Sequence, residues 1–414
     1  MLFGMDRELA INKSGVRKIF TPHTPIQSID LFFGRQSEIQ RIIEHLNTPG
    51  QHSLLFGERG VGKSSLANVA CELLLKHLVK GKFFKKRCDS GDTFPSIVAT
   101  LLCEIGIDIY VSQSEKMKCE GGKAGLSIPL ASASVDTQTT NKTINQGFLD
   151  RANSPSWVAE QLKNLDGLFL LDEIDALSNS EDKKKIAELV KLLSDENSPL
   201  KILIVGIAES SSDLTAGHPS VQRCLRETRL GRMSPEELSQ IIVEGQKKLK
   251  INFSSTAIKR IVSVSSGYPH FTHLLALKSA EDAISDKKKD INVADVEKST
   301  RRAVEDAEGS LKRAYDEAVR SFTTDTYKKI LLAASICKEE EIRSNELRKA
   351  FQSLWGAQIT QGSLSNYLKR LVAEDSSAIL RRIAKGVYRF SDPRMPSYIR
   401  IAQAHLIEIA EPDA

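Results

Sequence analysis

Residues 53–64 read Ser-Leu-Leu-Phe-Gly-Glu-Arg-Gly-Val-Gly-Lys-Ser, a short apolar run followed by a glycine-rich turn that ends in Lys-Ser. Gly57, Gly62, Lys63 and Ser64 satisfy the pattern G-x-x-x-x-G-K-S/T, and apolar side chains recur at helical spacing in the residues that follow. The stretch therefore predicts a buried strand, a loop and a helix, the order that a phosphate-binding loop requires. The alternative is a chance match in a glycine-rich turn.

Each part of this loop has a physical role. Glycines let successive backbone N–H groups turn towards phosphate oxygens, and the start of the following helix adds its positive end. The ammonium group of Lys63 is predicted to contact the β- and γ-phosphates of ATP, and the Ser64 hydroxyl is predicted to coordinate Mg²⁺. The residues predicted to contact the nucleotide here are Gly57, Glu58, Arg59, Gly60, Val61, Gly62, Lys63, Ser64 and Ser65.

A second apolar run, residues 168–171, ends in Asp172-Glu173. Downstream of a phosphate-binding loop, the first acid is predicted to hold the Mg²⁺ shell and the second to polarise the attacking water. Asp172 is therefore a predicted metal ligand, and Glu173 joins Lys63 as a predicted catalytic residue. The nearby Asp175 is predicted to cap the helix that follows.

A third apolar run, residues 202–207, predicts another central strand. Polar groups that follow the carboxyl end of such a strand face the ligand crevice of an open α/β sheet. Ser210 or Glu209 is thus a candidate contact for the γ-phosphate or the attacking water. Ordinary loop chemistry explains these two residues equally well.

The composition is that of a soluble globular protein and leaves the partner open. The 414 residues are 41% hydrophobic and 27% charged, which excludes a disordered or collagen-like chain and suggests two or three domains. The net charge of +5 permits a nucleic-acid partner without demanding one. The 6 cysteines are scattered, which argues against a zinc site or disulfide framework. With no signal peptide or membrane span recognisable, a cytoplasmic location is expected.

Several motifs together resemble the AAA+ ATPases, in the branch of archaeal origin-recognition and initiator (Orc/Cdc6-like) proteins. They are the entry segment Phe33-Gly34-Arg35, the phosphate-binding loop, Asp172-Glu173, and residues 218–223 and 233–238. The resemblance implies homo-oligomers in which an arginine finger completes a neighbour's ATP site. Arg223 is the candidate finger and Arg226 the reserve; the alternative is that either forms an ordinary surface ion pair.

The segment after residue 233 resembles an AAA+ helical lid. Ser234-Pro235 begins a predicted helix, with an N-cap serine and a proline in the first turn. Within the lid no arginine stands where the family places a nucleotide sensor, and Gly267-Tyr268-Pro269 is instead similar to the adenine-side motif of STAND ATPases. This resemblance implies that Pro269 contacts the nucleotide and that the protein is a nucleotide-held switch. His270 and His273 are further candidates for phosphate contact or for packing.

The C-terminal region resembles a winged-helix domain. Three predicted helices are followed by two short predicted strands near residues 379–382 and 386–390. Bound to duplex DNA, the third helix would enter the major groove and the wing would contact the backbone. The candidate DNA contacts are Ser363, Ser365, Asn366, Lys369, Arg370, Arg381, Arg382 and Lys385. The alternative is a docking surface for protein.

The predicted fold class is therefore α/β: a P-loop AAA+ module with a parallel sheet, a helical lid and a C-terminal winged-helix domain. The predicted parts are an N-terminal extension (1–30), the nucleotide-binding domain (31–232), the lid and connector (233–321), and the winged helix (322–414). An insertion at 111–148 is either a partner-binding or self-association element or a plain loop.

The predicted function is hydrolysis of ATP with Mg²⁺ to drive a conformational switch or oligomer assembly on DNA. The alternative is a STAND-like regulatory ATPase that controls an effector protein, for example in anti-phage defence, without binding DNA.

Overall fold

The computed structural model describes most of the chain, with gaps. The described residues are 15–77, 81–107, 150–208, 221–306, 309–321, 324–337, 339–372 and 378–403. The insertion predicted at 111–148 and the candidate residues Glu209 and Ser210 lie outside them.

The chain divides into two compact units. The sheet unit consists of Ile26–Glu58 and Lys63–Gly231. The helical unit consists of Met1–Pro25, Arg59–Gly62 and Arg232–Ala414, so it includes the tip of the phosphate-binding loop. The boundaries predicted between extension, nucleotide-binding domain, lid and winged helix remain predictions.

The sheet unit alternates strands and helices along the chain. Its helices are α1 (Gln36–Asn47), α2 (Lys63–His77), α3 (Phe94–Glu104), α4 (Pro155–Leu162) and α5 (Ser180–Asp195). Its strands are β1 (His52–Gly57), β2 (Lys82–Arg87), β3 (Gly167–Asp172), β4 (Leu200–Ile207) and β5 (Leu225–Leu230).

These strands form one five-stranded sheet in the order β2-β3-β4-β1-β5, and every neighbouring pair is parallel. The predicted parallel α/β sheet is confirmed. All residues of β1 and β3 are buried, which explains the apolar runs at 54–56 and 168–171 within these strands. Apolar residues of α3, α4 and α5 pack with them into one hydrophobic core. Because the strands are parallel, their carboxyl ends meet at one edge.

Asp175 does not cap a helix, contrary to expectation. It lies in a short 3-10 turn after β3, and its Oδ1 accepts the backbone N–H of Ile207 at 2.7 Å. The cap of α5 is instead Asn179, whose side-chain oxygen accepts the N–H of Glu181. Asp175 therefore ties the loop after β3 to the carboxyl end of β4, a long-range contact that its local sequence does not encode.

Within the residues that the structure describes, nine labelled helices and five short strands belong to the helical unit. The helices are α6 (Pro235–Leu249), α7 (Ser255–Ser265), α8 (Pro269–Ser285), α9 (Val293–Asp306), α10 (Gly309–Val319), α11 (Thr326–Ile336), α12 (Ser344–Trp355), α13 (Gln361–Leu371) and α14 (Met395–Ala402). The strands are β6 (Asn252–Phe253), β7 (Asp290–Ile291), β8 (Ile342–Arg343), β9 (Leu380–Ala384) and β10 (Val387–Phe390).

The start of α6 has the predicted form. The Ser234 hydroxyl accepts the N–H of Glu237 at 3.2 Å, and the Glu237 carboxylate accepts the N–H of Ser234 at 2.9 Å, which makes a reciprocal capping box. The strands β6 and β7, which pair in parallel, were not anticipated. Two-residue strands are too short to leave a periodic signal in the sequence.

The C-terminal module, residues 326–402, has the element order helix, strand, helix, helix, strand, strand, helix. Its three-stranded sheet has the order β8-β10-β9, with both pairs antiparallel. This order and pairing are those expected of a winged helix, with the short strand β8 as an addition that the sequence did not reveal. In the part of the chain that the structure describes, no helix is both long enough and apolar enough to cross a membrane.

His52, at the start of β1, makes folding sensitive to acid. Its ring is wholly buried, and its Nδ1 accepts the backbone N–H of Ile202 at 3.1 Å. Burial, aided by the charge of Lys201, lowers the pKa of His52 from 6.5 to about 3. Since the unfolded chain binds the proton more readily, stability is lost as the pH falls from about 6.5 towards the folded-state pKa.

We expect His52→Gln, whose side-chain oxygen can accept the same N–H bond, to unfold with a weaker pH dependence than the wild type. The difference in slope should approach about 1.4 kcal/mol per pH unit between about pH 6 and pH 4, measured by urea unfolding. His77→Gln, at an exposed position at the end of α2, is the matched control. Equal slopes for all three proteins would contradict the assignment.

Candidate nucleotide-binding site

The phosphate-binding loop begins where β1 passes close to β5. Gly57 has a φ of +150°, and a Cβ atom at this position would lie 2.3 Å from the carbonyl oxygen of Leu230. A side chain here would displace the neighbouring strand, so the glycine is required by the close approach. Gly57 thus has a packing reason as well as its predicted role in facing phosphate.

The tip of the loop contacts other parts of the helical unit. Gly60 has a φ of +85°, and a Cβ atom there would lie 2.6 Å from Cδ of Arg394. A Cβ atom on Gly62 would lie 3.7 Å from Cγ of Pro269, the first residue of α8. The structure therefore brings Pro269 beside the glycine that precedes Lys63, and its contact with the nucleotide stays a prediction.

Lys63 begins α2 and is 8% exposed. Its Nζ donates to the carbonyl oxygens of Gly57 and Glu58, at 3.0 and 2.6 Å. A buried ammonium group needs such acceptors, because an uncompensated buried charge is costly. The loop thereby holds a positive charge at the amino end of a helix, an arrangement that suits a bound phosphate.

Ser64 and Asp172 face each other across the carboxyl ends of β1 and β3. The Ser64 hydroxyl donates to Oδ1 of Asp172 at 3.4 Å, and Asp172 is 5% exposed. Burial raises the pKa of Asp172, opposed by the hydrogen bonds from Ser64 and from the N–H of Glu173. A hydroxyl and a carboxylate are the hard oxygen donors that Mg²⁺ prefers, so these residues fit the predicted metal.

Glu173 has a left-handed backbone, with φ +58°, and its carboxylate is held from the neighbouring strand. Arg87, the last residue of β2, lies in register with Asp172. Its guanidinium donates Nε to Oε2 of Glu173 at 2.8 Å and Nη2 to Oε1 at 2.6 Å. This bidentate ion pair occupies both oxygens of the predicted catalytic carboxylate.

Arg87 is a residue that sequence reasoning missed. The segment Lys-Phe-Phe-Lys-Lys-Arg at 82–87 has one buried side chain, which is typical of an edge strand. The sequence signal for a strand at 82–87 is weak, since four of its six residues are charged and only Phe83 and Phe84 are apolar. Only the pairing of β2 with β3 brings Arg87 to Glu173.

Ser65 and two histidines of α8, His270 and His273, contact backbone groups of residues 21–26. The Ser65 hydroxyl accepts the N–H of Ile26 at 3.0 Å. Within the helical unit, Nδ1 of His273 accepts the N–H of Thr21 at 3.2 Å, and Nδ1 of His270 lies 2.7 Å from the carbonyl oxygen of Pro22. Burial, together with the charge of His270, lowers the pKa of His273 to about 4, which favours the neutral acceptor.

Arg223 and Arg226 lie at the amino end of the strands, whereas the phosphate-binding loop follows their carboxyl end. Leu225 pairs with His52 and Leu230 with Gly57, so five residues, or roughly 17 Å of strand, separate the level of Leu225 from that of Gly57, and Arg223 lies two residues before Leu225. Arg223 is exposed and pairs with Asp195 at 2.5 Å, and Arg226 donates Nε to the Gln51 side chain at 2.8 Å. Neither can reach the site of its own chain.

The candidate DNA contacts lie on α13 and on the wing. Of α13, Ser363, Asn366, Lys369 and Arg370 are exposed, whereas Ser365 is half-buried. The guanidinium of Arg370 lies 4.5 Å from the ring centre of Tyr327 and donates to the carbonyl oxygens of Glu317 and Arg320, so it also has a packing role. The exposed residues of the wing are Arg381, Arg382, Ile383, Ala384 and Lys385.

Solved structures with a similar fold exist at low sequence identity. A Walker-type ATPase of Pyrococcus abyssi has a TM-score of 0.51 and 17% identity, covering 92% of this chain and 99% of that one. The ORC2 protein of Aeropyrum pernix, in its ADPNP–ADP complexes, has a TM-score of 0.49 and 14% identity, covering 94% and 98%. The Aeropyrum pernix ORC1 protein in complex with DNA has a TM-score of 0.48 and 14% identity, covering 95% and 97%.

At 17% identity, the similarity to the Pyrococcus abyssi ATPase supports the fold alone. No curated protein sequence matches the chain. The sequence profile of the family described as novel STAND NTPase 1 matches residues 25–374. That match spans the phosphate-binding loop, Asp172-Glu173 and the Gly-x-Pro motif. It confirms the predicted resemblance to STAND ATPases. Because the profile covers most of the chain, the chain belongs to the novel STAND NTPase 1 family, with the α/β fold of a P-loop NTPase.

Proposed function

We propose that the chain binds ATP with Mg²⁺ and hydrolyses it to ADP and phosphate, and that this cycle drives a conformational switch or oligomer assembly. The carrying observation is the Ser64–Asp172 hydrogen bond of 3.4 Å, which joins the phosphate-binding loop to the end of β3. A nucleotide held by the loop would meet the acidic pair at this point. Membership of an NTPase family supports the same conclusion.

Lys63 would bind the nucleotide by exchanging acceptors. Its ammonium now donates to two backbone carbonyls of the loop, and the β- and γ-phosphate oxygens would take over that role. Ser64 and Asp172 would hold Mg²⁺, which neutralises charge on the phosphates. Pro269 would contact the nucleotide from α8, consistent with its place beside Gly62.

Glu173 would orient and polarise the attacking water. In the described conformation its two oxygens accept from Arg87, so the carboxylate is not available to a water molecule on those sides. We therefore propose that Arg87 competes with the attacking water for Glu173 and slows turnover. A slow, gated hydrolysis follows, which suits a switch better than a motor.

Arg223 is proposed to act in trans, with Arg226 as the alternative. Its distance from the loop of its own chain rules out a role in that site, and its exposed position suits contact with a neighbouring subunit. A guanidinium delivered from a neighbour would stabilise charge on the transferred phosphoryl group. This role requires a homo-oligomer and release from Asp195.

Duplex DNA is the first candidate partner of the C-terminal module. The exposed cations Lys369, Arg381, Arg382 and Lys385 support backbone contacts, and exposed Ser363 and Asn366 on α13 support contacts to bases. The second candidate is an effector protein controlled by a STAND-type switch without direct DNA binding. The ion pair of Glu173 with Arg87 favours this second candidate, since a slowly hydrolysing switch does not need to move along DNA.

The hydrolysis proposal predicts two distinct losses. Lys63→Ala should abolish ATP binding, because the loop loses its phosphate-facing charge. Glu173→Gln should bind ATP normally yet lower the turnover number by about 100-fold, since an amide cannot accept a proton from water. Binding is measured by calorimetry and turnover by phosphate release. Unchanged affinity in the first variant, or normal turnover in the second, would contradict the assigned roles.

The Arg87–Glu173 ion pair predicts that removing Arg87 increases the rate of ATP hydrolysis. Arg87→Ala should raise basal turnover at saturating ATP by about fivefold, because an exposed bidentate pair of about 1 kcal/mol no longer competes for the carboxylate. Lys82→Ala, which removes the Lys82–Glu104 ion pair at the other end of β2, is the matched control. Turnover that stays constant or falls in Arg87→Ala would refute this restraint.

The DNA proposal predicts salt-dependent binding by the full-length chain. Changing Arg381 and Arg382 together to Ala should weaken duplex binding by about tenfold and reduce the salt slope by about 2, measured by fluorescence anisotropy. Changing Lys247 and Lys248 on α6 to Ala removes the same charge elsewhere and should have little effect. Absent or salt-insensitive binding would favour the effector protein.

A further inference from the structure

A cavity of about 280 Å³ lies within the helical unit, where the turn before α8, the end of α11, β10 and α14 meet. Three arginines line it: Arg232, Arg389 and Arg400. We call this cavity the arginine pocket. It contains no residue of the candidate nucleotide-binding site.

Arg400 is a half-buried cation whose hydrogen bonds go to neutral groups. Its Nε donates to the carbonyl oxygen of Ser335 at 2.9 Å, a bond that Nη2 repeats, and its Nη1 donates to the Ser266 hydroxyl at 2.5 Å. Among the described residues none places a carboxylate on this guanidinium. Burial, and then the charge of Arg232, lower the pKa of Arg400, as expected for a cation that lacks a counter-ion.

The other two arginines share one carboxylate. Arg232 Nη2 lies 3.2 Å from Oε1 of Glu340, and Arg389 contacts Oε2 of the same side chain. Glu340 is 41% exposed, so it can swing out of the pocket into water at small cost. Glu339 also lines the pocket, so three arginines and two glutamates are among its lining residues.

The remaining walls suit an organic group as well as an anion. The hydroxyl-bearing residues Ser266 and Ser397 line one part, and the side chains of Tyr268 and Phe390 line another. The Tyr268 ring is already stacked under Arg232, whose Cζ lies 5.0 Å from the ring centre. The volume accommodates a molecule the size of a sugar phosphate or a nucleoside monophosphate.

We propose that the arginine pocket binds a small phosphorylated molecule. Its phosphate lies between Arg232 and Arg400, where it supplies the counter-ion that Arg400 lacks, and it competes with Glu340 for the other two arginines. Arginine forks match phosphate oxygens in geometry and charge. A ligand held in this way joins Arg232, the first residue after the sheet unit, to α14 and β10 of the C-terminal module.

The test uses full-length Lys63→Ala protein, so that binding at the phosphate-binding loop is removed. Calorimetry with AMP, with inorganic phosphate and with adenosine separates the contributions of the phosphate and of the organic group. We expect AMP to bind with millimolar or better affinity, inorganic phosphate to bind more weakly, and adenosine not to bind. No heat with either phosphorylated probe would overturn the proposal.

Two substitutions in the same host should act in opposite directions. Arg400→Gln should weaken AMP binding by at least about tenfold, because charge-assisted hydrogen bonds to the phosphate are lost. Glu340→Gln should strengthen it by about fivefold, because the competing carboxylate is removed. Arg313→Gln, at an exposed position on α10, is the matched control and should change nothing.

The opposite signs distinguish a binding pocket from a purely structural cluster. If Arg400→Gln fails to fold, the Glu340→Gln result still decides, because a structural role for Glu340 predicts lower stability and no gain in affinity. Unchanged or weaker AMP binding in Glu340→Gln would overturn the proposal. The outcome is independent of the proposed ATP hydrolysis, which Lys63→Ala already disables.

Discussion

The candidate nucleotide site depends on the parallel pairing of β1 with β4 and β5 and of β3 with β4. Parallel strands end at one edge, so the loop after β1 and the acids after β3 meet without any direct link in the chain. Gly57 permits a close approach of β1 to β5, because any side chain there would meet the carbonyl oxygen of Leu230. The Ser64–Asp172 hydrogen bond is the result, and the proposed Mg²⁺ ligands follow from it.

Three arginines lie in different electrostatic surroundings, and the net charge of +5 does not reveal these differences. Arg87 holds the carboxylate of Glu173 in a bidentate ion pair. Arg223 pairs with Asp195 at the amino end of the strands, away from the phosphate-binding loop. Arg400 lies in a pocket where it meets neutral acceptors. Each arrangement is set by its neighbours, so arginine content alone carries little functional meaning.

Local patterns predicted much of the fold. The apolar runs of β1, β3 and β4 are buried strands, and the Ser234 start of α6 is a capping box, because these signals arise from residues close together in the chain. Asp175 was misassigned for the converse reason. Its carboxylate accepts an N–H from β4, and a helix cap and a long-range acceptor look alike in sequence.

The sequence by itself indicated the phosphate-binding loop and the acidic pair, since each is a short contiguous motif whose chemistry needs particular residue types, and the family follows from a sequence profile that matches residues 25–374. Tertiary structure alone decided that Arg87 pairs with Glu173 and that Arg223 lies far from the phosphate-binding loop of its own chain. It also decided that Arg232, Glu340 and Arg400 share one pocket. The reason is physical: these contacts join residues on different elements, and side chains so distant in the chain leave no periodic or local signal.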